Sequence, residues 1–317
     1  MGFYHCVSRV VDRRKIFRTL EKERFVSLMR EYESFCEVRV LTYAVMSNHF
    51  HILLQVPPRP AVLPTPEELL LKLSRLSGHV DLDLVQLRIQ TYRDTHDEAG
   101  LNDYLETFFR RMWDVSAFMK QVKQRFTQWY NALHGRKGAL WEERFRSVLV
   151  EGMGMALAAV AAYIDLNPVR AGITQDPMSY RWCGYAEAVA GRRRAMDSLQ
   201  IVVAALLHGH AVSRSEAMST YSALLDVKNR AKSSLGREDS IKLLEEKGRL
   251  ILRDYLRCRV RYFTDGLALG SRGFVEEIFR EYRSHFGSRR RQGSKPLRGL
   301  AQHDLSCLRD LRRRVFG

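Results

Sequence analysis

Apolar positions along this chain switch between two periods, and the switches predict most of its elements. Residues 3–10, FYHCVSRV, are rich in aromatic and β-branched side chains and predict a strand. In 19–36, Leu20, Phe25, Leu28, Met29, Tyr32 and Phe35 recur at near-helical spacing behind a Thr19 cap. Two strand-like runs follow, 37–45 and 49–56, separated by the short hairpin-type link Met46-Ser47-Asn48. A Pro-rich stretch, PPRPAVLPTPEE, then breaks the pattern, and a helix is expected to start at Pro66. From 67 to about 134 the spacing is helical, with polar interruptions near 78–83 and 95–102. FRSVLVE (145–151) predicts a further strand and GMALAAVAAYIDL (154–166) an Ala-rich helix that stops close to Pro168.

The resulting order, β-α-β-β-α-β-α, predicts an α+β fold: a ferredoxin-like sandwich with an antiparallel sheet, a long helical excursion and one appended helix. Past 188–197 the strand pattern stops. Residues from about 196 to 317 read as helices, among them SRSEAMSTYSALL, where Ser213 and Glu216 have capping-box spacing. The length of 317 residues suits two domains, with a boundary near 190. The expected division is a catalytic domain over 1–190 and an all-helical, basic, DNA-binding C-terminal domain over 191–317.

Charge narrows the partner. Lys and Arg outnumber Asp and Glu by 52 to 36, a formal net charge of +16, which points to the dense anion of nucleic acid. No apolar run approaches the ~20 residues of a membrane span, and the N-terminus lacks the apolar length of a signal peptide. Five scattered cysteines, never in CxxC spacing, fit reduced thiols. These features imply a cytoplasmic, nucleoid-associated protein without a membrane partner.

The chemistry centres on two histidines. In strand 49–56, His49 and His51 project to one face while Phe50 turns to the other, so two imidazoles become available to one divalent cation. With ten histidines in the chain, an accidental His-x-His is an ordinary event. The pair therefore admits two readings, a metal site or two ordinary strand residues. A second pair, His208-Gly209-His210, reads as a loop between helices. Tyr163 and Asn167 stand at i and i+4, hence on one helix face. A phenol can attack phosphorus, and an amide oxygen can complete a hard-metal shell. Core packing for Tyr163 and a helix-end role for Asn167 are the plainer alternatives. Arg170 follows, where it meets either a phosphate or water.

Taken together the set is coherent. A tyrosine of pKa near 10 attacks only if phenolate is stabilised and the phosphodiester polarised, which a cation on His49, His51 and Asn167 would supply. The product would be a phosphotyrosine ester that keeps the bond energy for rejoining.

Four motifs, YHCVSRVVDRRKIF, YAVMSNHFHILLQV, LWEERFRSVLVE and AAYIDLNPVRAGI, resemble in that order those of REP-associated tyrosine transposases. These belong to the single-tyrosine superfamily named for its His-hydrophobic-His motif. The resemblance spans about residues 3–190. It implies nicking and rejoining of single-stranded DNA beside palindromic hairpin repeats, with Mg²⁺ or Mn²⁺ and a 5′-phosphotyrosine intermediate. It implies that His49, His51 and Asn167 hold the metal and that Tyr163 is the nucleophile. Arg9, Arg13 and Arg14 fall where the family recognises bases flanking the repeat. Against the family's usual short connection, about fifty extra residues (58–112) form a helical insertion. The assembly stays open between monomer and homodimer.

Further cations are expected on DNA. Residues 118–146 interleave Lys120, Lys123, Arg144 and Arg146 with aromatics; Phe118, Val122, Phe126 and Trp129 form one core-facing stripe, leaving the cations for phosphate. Residues 265–291, ending in Arg289, Arg290 and Arg291, admit a helix-turn-helix reading or a solvated charge run. Two other functions remain open: a non-catalytic nucleic-acid-binding regulator with the same fold, and a replication-initiator or relaxase-type nickase.

Overall fold

A computed structural model of the protein describes residues 1–77, 80–225, 261–297 and 305–309. The helices expected between 226 and 260, and most of the basic end 308–317, lie outside the described residues. The N-terminal part has the predicted order. Strand β1 (Gly2–Arg9) leads to helix α1 (Thr19–Cys36), then β2 (Arg39–Val45) and β3 (His49–Val56). Three helices, α2 (Pro66–Leu73), α3 (Leu82–Asp94) and α4 (Glu98–Phe109), fill the insertion and precede α5 (Val115–Leu133). Strand β4 (Arg146–Val150) and helix α6 (Met155–Asp165) complete the series.

The four strands pair antiparallel in the spatial order β2-β3-β1-β4, the ferredoxin-like arrangement. One face carries Cys6, Val40, Tyr43, Phe50, Ile52 and Leu54 against α1 and α5. Fully buried Phe118, Val122 and Phe126 contribute to that layer, so the aromatic stripe of α5 is core, with Trp129 half-buried at its edge. The insertion extends the same core through Leu69, Val85, Ile89, Leu105 and Phe109. At the start of α1, Thr19 is the first helical residue rather than the cap: the Arg18 N–H is held by the Glu21 carboxylate at 3.0 Å. Leu20, expected in the core, is 57% exposed, because it falls on the outer side of the first turn.

The opposite face is covered too. Helix α6 lies across it, and residues 156–165 are all buried. Its alanines let the backbone come close to the sheet, while α9 (Arg193–Leu206) packs beside it on β2. A short helix, α7 (Asn167–Arg170), continues from α6 past Leu166. Between α7 and α9, α8 (Gly184–Val189) closes the edge near β2, and α10 (Arg214–Leu225) backs α9. The Ser213–Glu216 capping box forms as expected.

The expected all-helical C-terminal part is corrected. After helix α11 (Arg261–Thr264), strand β5 (Ala268–Ser271) joins β4 in parallel. Helix α12 (Arg272–Glu281) follows, then β6 (Lys295–Pro296) and β7 (Leu305–Leu308), giving, among the described residues, seven strands in the order β2-β3-β1-β4-β5-β7-β6. Four-residue strands such as ALGS and LSCL are too short to show an alternating period, and their pairing partners are remote in sequence. The helix-turn-helix reading of 265–291 falls with this, since a strand precedes the only long helix there. At Gly270 a Cβ would sit 2.7 Å from Glu151 Cβ, so glycine permits the close approach that lets Glu151 accept from Ser271 N–H at 2.6 Å.

Candidate active site

The site is built first by register. In the β1–β3 ladder Val7 stands opposite His51 and Arg9 opposite His49, so these four side chains share one face. Arg146, opposite Val7 on β4, extends the row. Helix α6 crosses this face and delivers Tyr163, 2% exposed, with ring centroids 5.7 Å from His51 and 5.9 Å from His5. One turn on, the Asn167 side-chain amide donates to the Tyr163 carbonyl at 3.2 Å, which leaves its oxygen available. The Arg170 guanidinium lies over the Tyr163 ring at 5.2 Å.

These residues surround one cavity of about 340 Å³. Its lining includes Arg9, His49, His51, Glu143, Arg146, Tyr163, Asn167 and Arg170. Thus the two strand histidines and the helix pair, more than a hundred residues apart, meet in one polar cleft within a single chain. Below it, Asp165 fixes the helix: it accepts from Thr42 Oγ1 at 2.7 Å, Tyr221 Oη at 2.6 Å and Tyr185 N–H at 3.1 Å. Burial pushes its pKa up to about 6, against those hydrogen bonds.

Electrostatics favour neutral imidazoles and a protonated phenol. Burial, with the nearby Arg9 charge, lowers His49 to about 4. His51 is driven well below its ordinary value by burial, then by His49, His5, Arg9 and Arg170. Burial raises Tyr163 above 10, while Asn167, Arg170 and Arg9 pull it down. Each His Nδ1 is engaged, His49 with Asn48 Oδ1 at 2.7 Å and His51 with His5 Nε2 at 3.0 Å. Neither Nε2 has a hydrogen-bond partner among the described residues. Two neutral imidazoles with open Nε2 lone pairs, beside an amide oxygen, suit a divalent cation and leave positions for phosphate oxygens. Among the described residues no group of three or more His, Cys, Asp or Glu is placed to hold a metal ion, so a cation here would rest on the two imidazoles and the Asn167 amide oxygen.

The other expected DNA contacts distribute more widely. Arg13 and Arg14 are exposed on the loop after β1 and do not line the cavity. Lys120, Lys123 and Arg144 line a second cavity of about 410 Å³ with Phe145. Burial lowers Lys123 to about 8, and its ammonium donates to the Glu143 carbonyl at 2.9 Å. In the basic run, Arg289 and Arg291 are exposed, whereas Arg290 donates to the carbonyls of Gln292, Gly293 and Arg309 and stacks on Phe286. Arg290 is therefore tied down as an internal clamp.

Sequence reasoning passed over His5, Asn48, Glu143 and Phe263. His5 had a usable signal: in 3–10 it alternates onto the face of Arg9, the face that bears His51 across the ladder. Phe263 had none. It arrives from α11 and stacks on Tyr163, with centroids 4.7 Å apart and planes at 12°.

A family model, that of IS200-like transposases, matches residues 2–75. The match contains β1, His49 and His51; Tyr163 and Asn167 lie beyond it. The resemblance to transposases therefore holds for the N-terminal part of the chain. Among solved structures, a REP-associated tyrosine transposase bound to a REP hairpin is similar, at 14% identity and a TM-score of 0.38, over 60% of this chain and 79% of the other. No curated protein matches the sequence. Among the described residues, no helix is long and apolar enough to cross a membrane.

Proposed function

We propose that the protein is a metal-dependent transposase that nicks and rejoins single-stranded DNA near palindromic hairpins, with Tyr163 as nucleophile. The observation that carries this reading is the convergence of His49, His51, Tyr163 and Asn167 on one cavity that three arginines and two glutamates also line. Mg²⁺ or Mn²⁺, when bound by His49, His51 and Asn167, would act as a Lewis acid on a phosphate oxygen. The chain supplies the rest. Arg9, Arg146 and Arg170 attract the backbone into the cleft. Tyr163, held by α6 and clamped between His51 and Phe263, presents its hydroxyl in a fixed place. At rest the phenol keeps its proton, because burial outweighs the guanidiniums. As the Tyr163 Oη–P bond forms, the bond from phosphorus to the 3′ oxygen breaks. The phenol gives up its proton and the departing 3′ oxygen takes one up, both by exchange with solvent, so the products are a free 3′-hydroxyl and a 5′-phosphotyrosine ester. Attack by another 3′-hydroxyl reverses these steps and rejoins DNA.

The test is a single-stranded hairpin oligonucleotide incubated with Mn²⁺ or Mg²⁺, followed by denaturing electrophoresis. A denaturation-resistant adduct is expected, and Tyr163→Phe should remove it while DNA binding stays nearly intact. An adduct that persists in the Phe variant would sink the assignment.

A further inference from the structure

Both histidines of the cavity end chains of hydrogen bonds that begin on a main-chain carbonyl. For His49 the chain starts at Arg13. The Arg13 carbonyl accepts from Asn48 Nδ2 at 3.0 Å, which orients the amide and turns Oδ1 towards His49 Nδ1 at 2.7 Å. An amide oxygen only accepts, so His49 carries its proton on Nδ1. For His51 the chain starts at Phe263. The Phe263 carbonyl, 2.7 Å from His5 Nδ1, also only accepts, so the His5 proton sits on Nδ1.

A neutral His5 then has a bare Nε2, and it faces His51 Nδ1 at 3.0 Å. Two lone pairs at that distance would repel; His51 must therefore donate from Nδ1. His5 is fully buried with no carboxylate bonded to it, so a second proton on its ring, an unpaired charge away from water, is disfavoured. We infer that His5 is a positioning residue: it converts the Phe263 carbonyl into a tautomer constraint on His51, as Asn48 does for His49 from the Arg13 carbonyl. Both rings are left with Nε2 free for a cation. The two rings lie within 24° of parallel with centroids 5.2 Å apart, edge to edge along that hydrogen bond, which fixes ring orientation as well as protonation.

This arrangement joins remote segments to one function. β1 contributes the relay, β3 the ligand, and α11 the acceptor that starts it. A neutral imidazole left to itself divides between two tautomers, and only one presents Nε2 to a cation. Orienting partners of metal-binding histidines are worth about 10- to 100-fold in metal affinity.

The inference rests on the metal reading of His49 and His51, and the experiment separates the two. The first measurement is the imidazole ¹⁵N spectrum of the metal-free protein near neutral pH, with His51 assigned by comparison with His51→Ala. His51 is expected to be protonated on Nδ1 alone in the wild type and to become mixed in His5→Phe, which keeps a ring but offers no acceptor. The second is Mn²⁺ affinity by titration of the full chain, without DNA. His5→Phe should weaken binding about 10- to 100-fold. His5→Gln, whose amide oxygen can stand near the place of Nε2, should recover most of it and guards against a variant that simply packs badly. A His51 protonated on Nε2 in the wild type would overturn the inference. So would a His5→Phe protein whose His51 spectrum is unchanged. If the spectra follow the relay but His51→Ala binds Mn²⁺ as the wild type does, the metal reading fails and the tautomer constraint stands.

Discussion

The chain contains His-x-His twice, and the two copies differ in everything except spacing. His49 and His51 lie in a strand whose pleat places both rings on one face, with antiparallel neighbours on either side of β3. His208 and His210 lie in an exposed loop just after α9, where His208 has φ of 55° and Gly209 φ of 90°. The first pair has both Nδ1 atoms held, by Asn48 and His5, and shares a cavity with Tyr163 and Asn167. No hydrogen bond to either ring of the second pair is found among the described residues. Burial and backbone geometry, not the letters, turn a pair of imidazoles into a site.

The largest expected effect comes from breaking the first pair. His51→Ala should reduce Mn²⁺ binding and adduct formation by more than about 100-fold, beyond the loss from an outer partner. The double variant His208→Ala/His210→Ala should match the wild type in both assays. Equal losses would erase the distinction. Next is Arg170→Ala, which removes the cation over the Tyr163 ring. A drop of about 10- to 100-fold in adduct yield is expected, the range of one charge-assisted hydrogen bond, with Mn²⁺ affinity in the absence of DNA little changed.

The pH dependence of stability sharpens the contrast further. His5 and His49 have folded pKa values lowered to about 4, so the native state refuses protons that the unfolded chain accepts below about 6.5. Their contribution is present above pH 6.5 and is lost as pH falls towards 4, at most roughly 3 kcal/mol for His5. Asp165 runs the other way: raised to about 6, it favours the fold more as pH falls from 6 towards 3.8. The histidines outnumber it, so denaturant midpoints should decline on acidification from pH 7 to 4.5. His5→Gln should flatten that decline, and His208→Ala should not. The smallest effect is expected at Gly209→Ala. Its positive φ makes a side chain cost about 1–2 kcal/mol, seen as a lower melting temperature with unchanged adduct yield.

Much of the first pair's setting was legible in the chain. Alternation in 49–56 gives the face, and the i, i+4 spacing of Tyr163 and Asn167 gives the second half of the cleft. Both follow from local periodicity, which short-range sterics enforce. What escaped was non-local. β5 and β7 are four residues each and acquire strand geometry only by pairing with β4 and with each other. Phe263 meets Tyr163 across a hundred residues because β5 returns the chain to β4. His5 sat in plain view within YHCVSRV, yet its role depends on the β1–β3 register, which brings it diagonal to His51. Arg290 shows the converse: a run of three arginines suggests a solvated stripe, while carbonyl clustering draws its middle member inwards.

The account's central claim is that Tyr163 attacks the phosphodiester, and locating the covalent bond tests it most directly. Tryptic cleavage after Arg146 and Arg170 yields a peptide, 147–170, in which Tyr163 is the single tyrosine. Digestion of the adduct with trypsin and nuclease, followed by tandem mass spectrometry, should find a 5′-nucleotide phosphoryl group on that tyrosine. Its attachment to another residue, or an unmodified 147–170 peptide from the purified adduct, would contradict the account.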